Sequence, residues 1–181
     1  MTTSRLIITT VALSTALLAG CSTTPPTPEA KDELSRKAVA ERGEWNKLDP
    51  QIEAFARKGH GFAFFPEVIK GGAGIGGAYG RGVVYEQGRH VGYADITQAS
   101  FGLQLGGQTY SELIVFENKT ALDRFKQNQV DFGANATAVI ATTGAAANAR
   151  FVDGIAVFMR PTAGAMAEAS LAGQRVTYVS K

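Results

Sequence analysis

Residues 70–85 read KGGAGIGGAYGRGVVY, and this stretch decides which folds the chain can adopt. Its first part matches the G-x-G-x-x-G pattern of dinucleotide-binding proteins, which requires a strand before it and a helix after it. Here glycine continues at Gly80 and Gly82, and the apolar residues that follow are typical of a strand. We therefore interpret these glycines as structural, because they let strands bend and pack closely. The glycines concerned are Gly72, Gly74, Gly76 and Gly77.

On the N-terminal side of this stretch, residues 30–58 carry apolar residues at helical spacing with charged residues between them. Asp49 followed by Pro50 is typical of an N-cap with proline at the first helical position, and Gly59 suits a helix end. The pattern predicts two helices that meet near Leu48–Pro50.

On the C-terminal side, the chain from residue 61 to 117 favours antiparallel strands, with a hairpin turn at residues 86–89. A third helix is predicted near residues 118–129, capped by Asn118 or Thr120. Further strands are predicted at residues 154–159, 165–171 and 175–179. For the alanine-rich residues 134–149 two structures are left open. Alanine propensity favours a helix, and the β-branched residues favour a strand.

The first 20 residues have the features of an export signal peptide. Arg5 precedes a mostly apolar run over residues 6–19, which is shorter than the roughly 20 residues a spanning helix needs. Leu18-Ala19-Gly20-Cys21 resembles the lipobox of bacterial lipoproteins, which implies a lipidated Cys21. The alternative is an ordinary secreted protein with a stray cysteine.

The predicted organisation is a signal peptide at 1–20, the lipidated Cys21 with a flexible, proline-rich linker over 21–29, and a single domain over 30–181. Ser22 stands where aspartate would signal retention at the inner membrane. We therefore expect a lipid-anchored protein of the bacterial cell envelope, at the outer membrane and facing the periplasm.

Composition excludes several classes of protein. The precursor has 18 basic and 16 acidic residues, and loss of Arg5 with the signal leaves 17 basic residues. This balance argues against a nucleic-acid partner, which would favour a strong basic excess. The single cysteine excludes an intrachain disulfide.

The sequence gives no reason to expect an enzyme, a metal or a cofactor. His60 and His90 are the only histidines, and a zinc site would need further ligands at suitable spacing. Ser100 and Ser111 lack the G-x-S-x-G context of a nucleophile. The expectation is a non-catalytic protein.

Five residues around the glycine-rich strands are candidates for holding a phosphate group through charge-assisted hydrogen bonds. For any single one, the alternative is an ordinary solvated charge. The candidate lipid-binding residues are Lys58, His60, Lys70, Arg81 and Arg89.

Three blocks, taken in order, resemble the SYLF family, also called the Ysc84 actin-binding domain or lipid-binding SYLF domain. They lie at residues 64–66, 70–84 and 100–108, and the last block adds Gly102 and Gly106 to the structural glycines. The match continues through 113–134 and covers the chain from about residue 35 to its end. Asn135 and residues 160–162 depart from the family pattern.

The resemblance implies an α+β domain with a curved, mostly antiparallel β-sheet or barrel-like sheet, N-terminal helices and one further helix. It also implies binding of lipid membranes without catalysis, with phosphoinositide head groups bound by eukaryotic members. Some fungal members bind actin filaments.

Two functional hypotheses follow. In the first, the anchored domain binds anionic, phosphoinositide-like phospholipid head groups. In the second, it is an envelope structural or interaction protein that binds another protein or the cell wall. The docking face would then hold Gln104, Gln108, Thr109 and Tyr110.

Overall fold

The computed structural model of the chain describes residues 23–130, 132, 138–164 and 173–181, with side chains described throughout except at 73–75 and 100–106. The predicted signal peptide, Cys21, the departure at Asn135 and the strand predicted at 165–171 lie outside these residues. The elements described are helices α1 (Pro28–Leu48), α2 (Pro50–Lys58), α3 (Lys119–Lys126) and α4 (Ala145–Asn148), and strands β1 (Gly61–Glu86), β2 (Arg89–Phe116), β3 (Val139–Ile140), β4 (Ile155–Ala163) and β5 (Gln174–Ser180).

The helix junction lies where local capping chemistry predicted it. Asp49 separates α1 from α2, and its carboxylate accepts a hydrogen bond from the backbone N–H of Gln51 at 3.0 Å. Pro50 occupies the first position of α2, where its missing N–H costs no hydrogen bond. The predicted pair of N-terminal helices is confirmed.

The segment before α1 differs from the flexible linker predicted over residues 21–29. Helix α1 begins at Pro28, after Thr27, whose hydroxyl accepts from the Ala30 N–H at 3.2 Å. Thr23 is buried, and its hydroxyl donates to the Asp95 carboxylate of β2 at 3.0 Å. This contact is favourable because a buried carboxylate needs hydrogen-bond donors. The chain is therefore attached to the sheet from residue 23 onward.

Strands β1 and β2 form one long antiparallel hairpin. Its turn holds Gln87 and Gly88, both with positive φ (48° and 78°), as a two-residue hairpin of the primed type requires. This confirms the turn predicted at residues 86–89. β2 then pairs antiparallel with β5 along residues 92–98 and with β4 along residues 109–116, while β3 joins β4 in parallel.

The glycine-rich stretch lies in the middle of this hairpin, where β1 folds back on itself. A Cβ added to Gly82 would lie 2.6 Å from Phe65 Cδ1, and one added to Gly80 would lie 2.7 Å from a methyl group of Val68. Pairing is irregular at Gly74, because Ala73 pairs with Leu105 but Ile75 pairs with Phe101. The stretch continues as strand to Glu86, so the helix that a dinucleotide site requires does not follow it.

The sheet separates two apolar cores because adjacent strand residues point to opposite faces. Phe65 lies in the inner core, which α3 and β5 complete, and Phe64 lies in the outer core beneath α1 and α2. Asn118 caps α3 by accepting from the Ala121 N–H at 3.0 Å, which confirms the predicted third helix. The architecture is α+β with a curved sheet, as predicted, and the sheet is open.

The alanine-rich segment uses both structures left open for it, with β3 at residues 139–140 and α4 at residues 145–148. The strands predicted at 154–159 and 175–179 correspond to β4 and β5. Within the described ranges, no helix is both long and apolar enough to cross a bilayer.

Candidate functional site

Three of the five candidate basic residues lie at the end of the sheet where the β1–β2 hairpin turns. His60 Nε2 lies 3.1 Å from a carboxylate oxygen of Glu86, and Lys126 Nζ lies 2.7 Å from the other oxygen. Glu86 is the register partner of Arg89, and Lys58 ends α2 two residues before His60. We call Lys58, His60, Glu86, Arg89 and Lys126 the hairpin-end cluster.

The hairpin-end cluster has a positive balance. The hydrogen bond from Lys126, together with that of His60, lowers the pKa of the Glu86 carboxyl against the opposing effect of burial. Glu86 is therefore ionised at neutral pH and balances one of the three permanent cations. Lys58 and Arg89 are exposed, and within the described ranges neither forms an ion pair.

Lys70 and Arg81 are not part of this cluster. Arg81 precedes the hairpin turn at Gln87 by six residues of strand, which span about 20 Å. Its guanidinium lies 5.8 Å from the centroid of the Tyr79 ring, and Asp95 is its register partner on β2. Lys70 is the register partner of Gln108 and is partly buried.

Arg81 instead lines a groove of about 260 Å³ between the N-terminal half of α1 and the outer surface of β1. We call it the α1–β1 groove, and its lining includes Pro25, Leu34, Lys37, Ile69, Tyr79 and Arg81. Ile69 is 60% exposed and Tyr79 is 37% exposed. Lys37 forms ion pairs with Glu67 at 3.2 Å and Glu33 at 3.5 Å.

This groove could not be predicted from the sequence, because the residues that line it come from separate elements. The sequence signal for an exposed apolar side chain was Ile69, directly after Val68. Adjacent strand residues face opposite sides, so one of these two must face away from the inner core. Nothing in the sequence pattern indicated that α1 would leave that side of the strand uncovered.

A buried polar cluster occupies part of the sheet interior. Glu112 is 0% exposed, and one of its carboxyl oxygens accepts a hydrogen bond from the Gln174 amide at 2.7 Å. Burial raises the pKa of Glu112 to about 8, so this side chain is mainly protonated at neutral pH. Burial also raises the pKa of the neighbouring Tyr110 phenol, with a smaller contribution from Glu112.

The location of Tyr110 corrects the docking face expected on the interaction hypothesis. Tyr110 is 1% exposed and belongs to the inner core, so it cannot contact a partner. Gln108 and Thr109 are partly buried, and the Gln104 side chain lies outside the described set. The polar character of the stretch was misleading, because alternate residues of β2 point inward.

The side chain of Ser111 has structural contacts. Ser111 is buried, accepts a hydrogen bond from Trp45 Nε1 at 2.7 Å and donates to Glu41 at 2.6 Å. Arg160, from a segment that departs from the family pattern, also donates to Glu41 at 2.8 Å. This network fastens α1 to β2 and β4.

The His90 side chain has partners outside the hairpin-end cluster. Its Nε2 is 2.9 Å from the Gly92 carbonyl oxygen, and its ring packs on Tyr85 and Tyr93. Burial lowers the pKa of the His90 imidazole. In the part of the chain that the structure covers, no three acidic, histidine or cysteine residues are grouped as metal ligands would be.

These features define an α+β domain with a curved open sheet and a basic cluster at its hairpin end. Comparison with protein families then identifies its C-terminal part: residues 97–180 match the family Ysc84, described as "Las17-binding protein actin regulator". The match runs from within β2 to the last residue of β5 and confirms the SYLF resemblance for this part of the chain, whereas the blocks at residues 64–66 and 70–84 lie outside the match. No curated protein matches the chain.

Proposed function

We propose that this chain is a lipoprotein, anchored in the bacterial envelope through Cys21, whose SYLF domain binds anionic phospholipid head groups without catalysis. The family match supports a lipid-binding or actin-binding class. The observation that carries the proposal is the hairpin-end cluster, where His60 and Lys126, distant in sequence, both contact Glu86, and where Lys58 and Arg89 are exposed.

The cluster has the chemistry that phosphate recognition needs. Lys58 and Arg89 present exposed cationic groups, and charge-assisted hydrogen bonds to phosphate are stronger than neutral ones. Glu86 keeps Lys126 and His60 in position, because both contact its carboxylate. A phosphomonoester or phosphodiester head group is therefore the ligand that we propose for Lys58 and Arg89.

The test is vesicle flotation of a soluble chain that lacks residues 1–21. We expect it to float with anionic vesicles and to stay behind with neutral ones. Each basic residue near an anionic surface contributes about 1 kcal/mol, so the Lys58→Gln/Arg89→Gln variant should bind about 30-fold more weakly. Equal flotation on neutral and anionic vesicles would reject head-group recognition.

A matched control separates this site from the net charge of the chain. Arg36 on α1 and Arg175 on β5 are exposed and lie on other elements. The Arg36→Gln/Arg175→Gln variant changes the net charge by the same amount and should retain most of the binding. Equal losses in both double variants would show that binding depends on overall charge and not on the cluster.

The anchor has its own test. Growth of expressing bacteria with labelled palmitate should label the full chain, and Cys21→Ser should abolish the label. Recovery of an unlabelled, soluble chain from the periplasm would indicate an ordinary secreted protein.

A protein partner is the second candidate function, because the family description names Las17 binding. In an envelope protein such a partner would be another envelope protein or the cell wall. Crosslinking in intact cells, followed by purification, should recover a reproducible protein or wall fragment if this function is correct, and lipids alone if the first proposal is correct.

A further inference from the structure

We infer that the anchored domain docks on the same bilayer that holds its acyl chains, with the α1–β1 groove facing that bilayer and Ile69 and Tyr79 entering its head-group region. The inference rests on the proposed lipidation of Cys21. It adds the orientation of the domain, which the head-group proposal leaves open.

The tether is short and its exit point is held by the fold. Thr23 is buried and bonded to Asp95 at 3.0 Å, and Pro25 lines the α1–β1 groove. Only Ser22 lies between Thr23 and Cys21, so the two Cα atoms are at most about 7 Å apart. A bilayer that holds the Cys21 acyl chains therefore lies close to the Thr23 side of the domain.

The groove beside this exit point presents apolar groups to the outside. The exposed large hydrophobic side chains in the described ranges are Val39, Ile69, Tyr79, Val152 and Val179. Two of them, Ile69 and Tyr79, line this single groove together with Pro25. Tyrosine suits a membrane interface because its ring is apolar and its hydroxyl is polar. The bilayer carrying the anchor is thus the occupant that the tether brings to this surface.

The charges of the groove distinguish it from the hairpin-end cluster. Lys37 is paired with Glu33 and Glu67, so carboxylates offset the cations along the groove. Contact through the groove should therefore be driven by apolar burial and depend little on lipid charge. Tyr79 precedes Gln87 by eight residues of strand, about 26 Å, which makes the two surfaces separate.

The test uses tryptophan as a depth reporter in the full, lipidated chain reconstituted in vesicles of neutral brominated phospholipid. Tyr79→Trp places the reporter in the groove, and Val152→Trp places it at a 70% exposed position in the turn before β4. The native Trp45 is buried and contributes the same background to both. We expect strong quenching for Tyr79→Trp and little for Val152→Trp.

Equal quenching at both positions, or stronger quenching at Val152→Trp, would overturn the orientation. Ile69→Trp is a second groove reporter if Tyr79→Trp lowers the thermal stability, and it should be quenched like the first. A chain that carries no acyl group overturns this inference together with the anchor.

The two proposals fail differently. Loss of charge selectivity in flotation of the soluble chain, with groove quenching intact, removes head-group recognition and keeps the orientation. Selective flotation of the soluble chain, without groove quenching in the anchored chain, keeps head-group recognition and removes the orientation.

Discussion

The substitution Glu112→Gln should make the domain more stable at neutral and alkaline pH. Glu112 is fully buried, and burial raises its pKa from 4.5 to about 8 in the folded state. Between these two values the unfolded chain ionises this carboxyl while the folded chain keeps it protonated. Unfolding then releases a proton, so the free energy of unfolding falls as pH rises from 4.5 to about 8.

The magnitude follows from the width of that interval. The free energy of unfolding falls by about 1.4 kcal/mol for each pH unit in that interval. The total loss is up to about 5 kcal/mol at pH 8 compared with pH 4.5. Glutamine resembles the protonated acid in shape, can still accept the hydrogen bond from the Gln174 amide, and does not ionise. The variant should lack this pH-dependent loss.

The assay is urea unfolding of the soluble chain at several pH values from 4.5 to 8, followed by Trp45 fluorescence. The parent and Glu112→Gln should have similar free energies of unfolding at pH 4.5, and the variant should be several kcal/mol more stable at pH 8. Glu117→Gln, at an exposed carboxyl just after β2, is the matched control and should follow the parent. Parallel pH profiles for parent and Glu112→Gln would refute the reasoning.

Three further substitutions test the packing that shapes the domain. Gly82→Ala should lower the free energy of unfolding by about 1–3 kcal/mol, because the new Cβ would lie 2.6 Å from Phe65 Cδ1. Gly43→Ala, in open space on α1, should instead raise it by about 0.5–1 kcal/mol, and equal effects of both on urea midpoints would contradict the steric argument. Ser111→Ala should cost about 1–3 kcal/mol, since it leaves the buried Trp45 Nε1 without its acceptor. An unchanged thermal midpoint would show that another group replaces Ser111.

Local features of this protein could be predicted because their causes lie within a few residues. Asp49 caps α2 through a backbone group two residues away, and Asn118 caps α3 through one three residues away. The hairpin turn depends only on positive φ at Gln87 and Gly88. Such features need no knowledge of the rest of the chain.

The candidate site was only partly predictable. Of the five candidate basic residues, Lys58, His60 and Arg89 lie near the hairpin turn, whereas Arg81 and Lys70 lie elsewhere along the hairpin. The difference arises because β1 is one strand of 26 residues, so residues near in sequence are separated by its length. Lys126, which contacts Glu86 from α3, carried no signal that linked it to the cluster.

By itself, the sequence determined helices α1 to α3 and the hairpin turn, since capping and turn geometry are local, and its family resemblance implied the α+β class. The tertiary structure alone decided which charges meet, which polar residues are buried, and where the N-terminal segment attaches. Tyr110 and Glu112 are polar in sequence yet lie inside the domain, because the fold-back of β1 and the pairing of β5 enclose that face of β2. Burial depends on partners distant in the chain, and it sets the protonation of Glu112.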